Sequence, residues 1–280
     1  VSITLLGLVT LGALIGPRAE RGVRPRIELR WAVSAGGLFG ALSTWLLSGL
    51  HITGPACTPD FFEYCQALLY LDGSHQVFPS KRSRAAALLP SFFAREFGIL
   101  DGLAMAGVFC ACVTGAAMFL WARLLGGRVA GILCIGVAMS MAPLVALPRF
   151  LAFYPEICAS LCLAAAGTAA AILRPEERLR MVLAGSGVGL CLLMDQRALL
   201  WALPFLGGAA LATLHAAGDA RERATRLGLL VAPLVVSYLL GSLAYGADAT
   251  SLEAQIDIRP LFYQHGVSAP GFEPPHARAS

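Results

Sequence analysis

The sequence predicts an all-α protein, a polytopic transmembrane helical bundle of about eight spans, and three observations lead to this prediction. Hydrophobic residues make up 57% of the 280 residues, and charged residues only 14%, against roughly 25% in soluble domains. The mean hydropathy is +0.71. Uncharged stretches of about 20 residues, long enough to cross a hydrocarbon core about 30 Å thick, recur along the chain. This composition excludes a disordered chain and a small disulfide-stabilised domain.

The predicted spans follow one another with short charged connections between most of them. They are 1–16, 31–50, 102–121, 129–147, 151–173, 181–194, 198–216 and 227–246. Glycines at helix-packing spacing, such as Gly36 and Gly40, allow helices to approach closely in lipid. No small-residue cleavage site follows the first span, and five arginines do, so we interpret it as a clipped transmembrane helix rather than a signal peptide.

The distribution of basic residues predicts the orientation of the bundle. One alternating set of connections carries 13 of the 21 basic residues with six acids, and the opposite set carries eight with eleven acids. Because basic residues are retained on the cytoplasmic side, the formal charge of +4 reports topology and no nucleic-acid partner is expected. We predict a leading helix and Arg-rich loop over 1–30, a seven-span core over 31–246 with an outer loop 51–101, and an outer tail over 247–280.

The outer loop contains two predicted interfacial helices. The first begins at Thr58, Pro59 and Asp60, a good helix start, and places Glu63 on the same helical face as Asp60, followed by Tyr64. The second runs over 83–97 beside a basic cluster, which is suited to an anionic phosphate at the lipid surface. This cluster consists of Lys81, Arg82 and Arg84. The alternative is that Asp60 only caps its helix and the cluster only contacts headgroups.

Two further polar groups lie at the outer ends of spans. Asp195, Gln196 and Arg197 follow a span of only 14 residues, about 21 Å long, so we expect them below the outer surface in a wet pit. An ion pair that closes the turn is the alternative. Glu156 opens the fifth span, where it either lines the same cavity or stabilises the helix start. Because the centres of the spans carry almost no charge, an ion-coupled transporter is disfavoured.

Cysteine spacing and nucleotide motifs give weaker signals. Six cysteines fall within spans without zinc-site spacing, which is typical of packing between helices. Cys57 and Cys65 both lie on the outer loop, where an oxidising compartment would allow a disulfide. The sequence has no nucleotide-binding loop, no GxGxxG after a strand and no Ser-His-Asp arrangement, which disfavours soluble-type ATPases, dehydrogenases and hydrolases.

In organisation and short motifs the chain resembles the GT-C-type membrane glycosyltransferases. These enzymes, such as protein O-mannosyltransferases and lipid A aminoarabinose transferases, take sugars from polyprenyl-phosphate donors. The resemblance covers most of the chain. Its motifs are Asp60-Phe61-Phe62-Glu63-Tyr64, Arg95-Glu96-Phe97-Gly98, Leu124-Leu125-Gly126-Gly127, Tyr154-Pro155-Glu156 and Asp195-Gln196-Arg197.

The resemblance implies an inverting transfer of sugar to a glycan, lipid or protein acceptor at the outer face of a bacterial inner membrane. Asp60, with Glu63 beside it, matches the general base or acceptor-orienting acid. The remaining expected substrate-binding residues are Tyr64, Lys81, Arg82, Arg84, Glu156, Asp195 and Arg197. No cofactor is indicated, and without a DxD pair in the loop neither is a divalent metal. The alternatives are a non-catalytic scaffold, a flippase or exporter of lipid-linked saccharides, and another lipid-modifying enzyme such as an acyltransferase.

Overall fold

The computed structural model describes residues 25–49, 88–149, 154–174, 177–194, 196–216 and 218–245. These residues are almost entirely helical, and no strand occurs among them. The all-α class is therefore confirmed. The helices are α1 (Pro25–Gly49), α2 (Leu88–Phe97), α3 (Ile99–Met139), α4 (Ala142–Val145), a 3-10 turn (Leu147–Arg149), α5 (Tyr154–Leu173), α6 (Arg178–Met194), α7 (Gln196–His215) and α8 (Ala220–Tyr245).

Helices are present at seven of the eight predicted spans. The span predicted over 1–16 and the interfacial helix predicted from Thr58 lie outside the described residues, whereas the interfacial helix predicted over 83–97 is present from Leu88. Two helices, α3 and α5, are long and apolar enough to cross a membrane, and the Leu200–His215 part of α7 is a shorter apolar helix.

The helix α3 is a hairpin of two arms, 99–125 and 128–139. Helical geometry is lost at Gly126 and Gly127, and Gly127 has φ 77°, a conformation that is open to glycine at little cost. The chain then folds back on itself, so that Gly131 packs against the ring of Phe119. The break falls in the connection between the predicted spans 102–121 and 129–147, as the sequence indicates.

The span predicted over 129–147 is not one continuous helix. Its helix ends at Met139, and the chain continues as α4 and the 3-10 turn. Pro143, at the start of α4, and Pro148, in the 3-10 turn, lack the amide hydrogens that a longer helix would need. The 3-10 turn packs against α3 at Gly107. Residues 128–149 therefore still run alongside the first arm of α3 for most of the length of that arm.

The helices alternate in direction, and glycines bring them close together. Gly167 of α5 faces Ala184 of α6, while Gly187 of α6 faces Ala164 of α5, so these helices are antiparallel. The helix α8 runs parallel to α6, because Gly185 contacts Leu230 and Gly189 contacts Ser237. The Thr168 hydroxyl of α5 donates to the Phe205 carbonyl of α7 at 3.1 Å.

The first helix completes the bundle against the first arm of α3. Gly36 lies against the carbonyl of Cys112, and the buried ring of Phe39 lies against Gly115. The Arg128 guanidinium lies 5.6 Å from the ring centroid of Trp31, which ties the start of α1 to the α3 hairpin. The helix α1 is therefore antiparallel to the first arm of α3.

These directions divide the charged residues between two ends of the bundle. The basic end holds the start of α1, the α3 hairpin and the α5–α6 and α7–α8 connections. The far end holds the α2–α3 turn, the 3-10 turn and the α6–α7 connection. Nine arginines with described side chains lie at the basic end with three acids: Arg30, Arg123, Arg128, Arg174, Arg178, Arg180, Arg221, Arg223 and Arg226, with Glu177, Asp219 and Glu222.

Large apolar side chains are exposed along the sides of the bundle. Examples from five helices are Trp45, Ile132, Leu179, Trp201 and Val236, each at least half exposed. The buried cores contain mainly small residues such as alanine. An apolar exterior around a core of small residues is typical of helices that pack in lipid.

Candidate functional site

Most of the predicted site residues lie outside the part of the chain that the structure describes. They are Asp60, Glu63, Tyr64, Lys81, Arg82, Arg84 and Asp195. The backbone of Arg197 lies in the first turn of α7, but its side chain is not among those described. Of the predicted site residues, Glu156 has a described side chain, so the candidate site is described starting from this residue.

Glu156 is a buried carboxylate in the first turn of α5. Its exposed fraction is only 4%, and it follows the buried Pro155. Proline suits the first turn, because the amide hydrogen that it lacks has no partner within the helix there. The Ser160 hydroxyl donates to the Glu156 carbonyl at 2.7 Å, and Cys110 of α3 lies close to Glu156. The side chain therefore faces the bundle.

The helix register gives the depth of this carboxylate. Extending the pairing of Gly167 with Ala184 places Arg180, at the basic end, beside Ala171. Fifteen residues of α5 separate Ala171 from Glu156, about 22 Å at a rise of about 1.5 Å per residue. When the level of Arg180 is set at one boundary of a hydrocarbon core about 30 Å thick, Glu156 lies inside that core.

The same register brings the α6–α7 connection to the level of Glu156. It places Met194, the last residue of α6, beside Ile157 of α5. Ile157 also packs against the core cluster that contains Cys191 of α6 and Ala198 of α7. The backbone of Arg197 therefore starts α7 within about one helical turn of the level of Glu156. The structure thus brings Glu156 and the backbone of Arg197 to one end of the bundle.

The far end is stepped, because α1 and α3 extend beyond Glu156. Gly40 of α1 contacts Cys112 of α3 and lies near the level of Cys110, which neighbours Glu156. From there α1 continues nine residues to Gly49, about 13 Å. Among the described residues, α1 ends and α2 begins at this taller part. Glu156 and the start of α7 therefore lie on the lower side of the step.

The sequence did not predict that Cys110 of α3 interacts electrostatically with Glu156 and Cys158 of α5. The Cys158 thiol lies within hydrogen-bonding reach of Cys162 in α5, and beside Thr114 of α3. Cys110 is a further neighbour of Cys158. The spacing of Cys158 and Cys162 at i and i+4 is the signal in the sequence, since it places both on one helical face. Within the described residues, no group of three or more His, Cys, Asp or Glu side chains is arranged to hold a metal ion.

A second polar feature, the buried arginines of the basic end, also went unpredicted. Arg180 donates from Nε to Glu177 Oε2 at 2.6 Å, and Arg174 donates from Nη1 to Glu177 Oε1 at 3.0 Å. Arg226 donates from Nη2 to Glu222 Oε1 at 2.7 Å. The hydrogen bond from Arg180, with a further contribution from Arg174, holds the pKa of the Glu177 carboxyl below its ordinary value.

Comparison of the chain with protein-family models, with curated proteins and with solved structures gives no match. The candidate site is therefore defined by its own residues. It consists of one buried carboxylate, a neighbouring set of thiols and hydroxyls, and the start of α7, all at the end of the bundle opposite the nine arginines of the basic end. A buried carboxylate can accept hydrogen bonds from neighbouring protein groups or balance a nearby cation.

Proposed function

We propose that the chain is an integral membrane protein of about eight spans whose basic end faces the cytoplasm. The apolar exterior supports this proposal, as does the collection of nine arginines at one end by three separate connections and the start of α1. The far end, with Glu156, then faces the exterior or periplasm. A bacterial inner membrane is the expected location.

We further propose that this protein transfers a sugar from a polyprenyl-phosphate donor to an acceptor at the far end. The observation that carries the proposal is the burial of Glu156 at this end, level with the start of α7. A buried carboxylate is costly unless it is paired or hydrogen-bonded, and ionisable groups at membrane depth are by default candidates for a functional role. A lipid-linked donor presents its sugar phosphate at the membrane surface, close to this level.

The proposed reaction is a single displacement at the anomeric carbon. Asp60 accepts the proton of the acceptor hydroxyl or amine as the acceptor attacks, and the bond from the anomeric carbon to the phosphate oxygen breaks. The departing polyprenyl phosphate carries the negative charge, which Lys81, Arg82, Arg84 and Arg197 are suited to stabilise. Attack opposite the leaving group inverts the anomeric configuration. Glu156, buried at the same end, does not contact the sugar directly; it positions the surrounding groups of α3 and α5 beneath the donor.

The test is transfer from radiolabelled polyprenyl-phosphate hexose and pentose by purified protein. Asp60→Asn is expected to lower the rate by about 100-fold or more, the usual contribution of a general base. Glu156→Gln keeps the shape of the side chain but removes its charge, and we expect kcat/KM to fall by about 10- to 100-fold. Glu96→Gln, an exposed acid near the same end, is the matched control and is expected to retain full activity.

Two results would contradict the proposal. Normal transfer by Asp60→Asn would remove that residue from the mechanism. Movement of intact labelled donor across vesicles, without its consumption, would identify a flippase or exporter instead.

A further inference from the structure

The arginines of the connections between α5 and α6 and before α8 form a two-layered arrangement. The inner layer is Arg180 and Arg226, whose side chains are buried and paired with Glu177 and Glu222. The contact of Gly185 with Leu230 sets the register of α6 and α8, and this register places Arg180 level with Arg226. The two guanidinium groups thus lie at the same depth on neighbouring parallel helices.

The outer layer is exposed and has an excess of positive charge. It contains Arg178 at the start of α6, and Arg221 and Arg223 in the first turn of α8. Across both layers, the described side chains include six arginines and three acids. The sixth arginine, Arg174, also pairs with Glu177. The third acid, Asp219, caps α8 by accepting a hydrogen bond from the Glu222 amide at 2.7 Å. The acids hold the inner guanidinium groups in place; the described side chains leave a net charge of +3, and Glu176 of the same connection lowers the formal charge to +2.

Exposed apolar side chains begin directly beside this charge. Leu179 is 69% exposed between Arg178 and Arg180, and Leu183 follows one turn along α6 at 51%. A cationic layer bordered by an apolar layer is complementary to a phospholipid. The anionic phosphate matches the cationic layer, and the acyl chains match the apolar layer.

We propose that the ends of α6 and α8 form a binding surface for an anionic phospholipid. The phosphate contacts the exposed arginines Arg178 and Arg221, and the acyl chains lie along Leu179 and Leu183. Arg180 and Arg226 supply fixed positive charge beneath the headgroup. This inference rests on the proposed membrane embedding with the basic end at the lipid surface, and it is independent of any glycosyl transfer at the far end.

The experiment measures binding of fluorescent phosphatidylglycerol to the full chain in an uncharged detergent. The matched ligand is phosphatidylcholine with the same label. We expect phosphatidylglycerol to bind more tightly, with an affinity that falls as salt rises. An arginine near an anionic membrane surface contributes about fivefold, so Arg178→Gln together with Arg221→Gln is expected to weaken binding by about 30-fold. Both side chains are exposed, so the double variant is expected to fold normally.

Three controls make the outcome decisive. Arg95→Gln, at the far end, should leave binding unchanged, and a loss equal to that of the double variant would overturn the proposal. Equal binding of the two phospholipids by the parent protein would also overturn it. Competition by millimolar inorganic phosphate would show a site for free anions and contradict a lipid site. The experiment does not measure glycosyl transfer, so its result does not depend on whether the protein has the proposed transferase activity.

Discussion

The packing of α5 against α6 gives a prediction whose size follows from the structure. A Cβ atom added at Gly187 would lie 2.5 Å from the Ala164 amide nitrogen and 2.6 Å from its Cα, whereas ordinary contact begins at 3.4 Å. Both atoms are backbone and cannot rotate away. Gly187→Ala therefore forces the two helices apart by about 0.9 Å at their closest approach, and a gap of that size removes a quarter to a half of each affected dispersion contact.

The expected cost follows from two opposing effects. Overpacking costs about 1–3 kcal/mol, and replacing a helical glycine with alanine returns about 0.5–1 kcal/mol. The net loss is thus at most about 2.5 kcal/mol, and about 1.2 kcal/mol from the middle of both ranges, so the melting temperature should fall by roughly 2–5 °C for a chain of this size. Thermal unfolding in detergent, followed by circular dichroism, measures the change.

The matched control is Gly228→Ala in α8. Nothing lies within 4 Å of a Cβ atom built there, so this variant gains the helical preference of alanine without the clash and should be at least as stable as the parent. If Gly187→Ala melted at or above the parent temperature, the close approach of α5 and α6 would be wrong. Equal losses in both variants would mean that alanine is unfavourable in these helices for another reason.

Two further predictions concern the basic end and the orientation of the bundle. The lowered pKa of Glu177 means that its pairing with Arg180 and Arg174 stabilises the fold above the ordinary pKa and that this stabilisation is lost as pH falls through the lowered pKa. Because Glu177 is 39% exposed, we expect Glu177→Gln to cost about 0.2–1 kcal/mol at pH 7, and this cost to shrink as pH falls through the lowered pKa of Glu177; a pH-independent difference in denaturant unfolding would contradict the ion pair. A membrane-impermeant maleimide applied to intact cells should label Glu96→Cys but not Arg223→Cys, in a background with Cys57 and Cys65 replaced by serine. The reverse labelling pattern would invert the orientation.

The sequence predicted the helices better than it predicted their packing. Span positions follow from local composition, because about 20 uncharged residues are needed wherever a helix crosses lipid. The connection between the spans 102–121 and 129–147 was placed correctly, and it contains Gly126 and Gly127, where the positive φ of Gly127 lets the chain turn back. Interruption of the span over 129–147 was missed, although Pro143 and Pro148 stand in it, because hydropathy averaged over a window does not register single prolines.

The candidate site was predictable only in part, because burial depends on contacts between distant segments. Glu156 could be placed at the start of a span, but the choice between a helix-start acid at the surface and an acid facing the interior required the neighbouring α3. The approach of Cys110 to Cys158 depends on the relative rotation of α3 and α5, which no local pattern records. The buried positions of Arg180 and Arg226 likewise follow from the register of α6 and α8.

The central claim is that the far end, where Glu156 is buried, is a site of sugar transfer from a polyprenyl-phosphate donor. Its most direct test is the fate of radiolabelled donor incubated with purified protein and membrane extract as the source of acceptor. We expect the label to leave the polyprenyl phosphate and appear in product, and we expect Glu156→Gln to slow this transfer while Glu96→Gln does not. Intact donor after incubation with folded parent protein, or equal rates for the two variants, would contradict it.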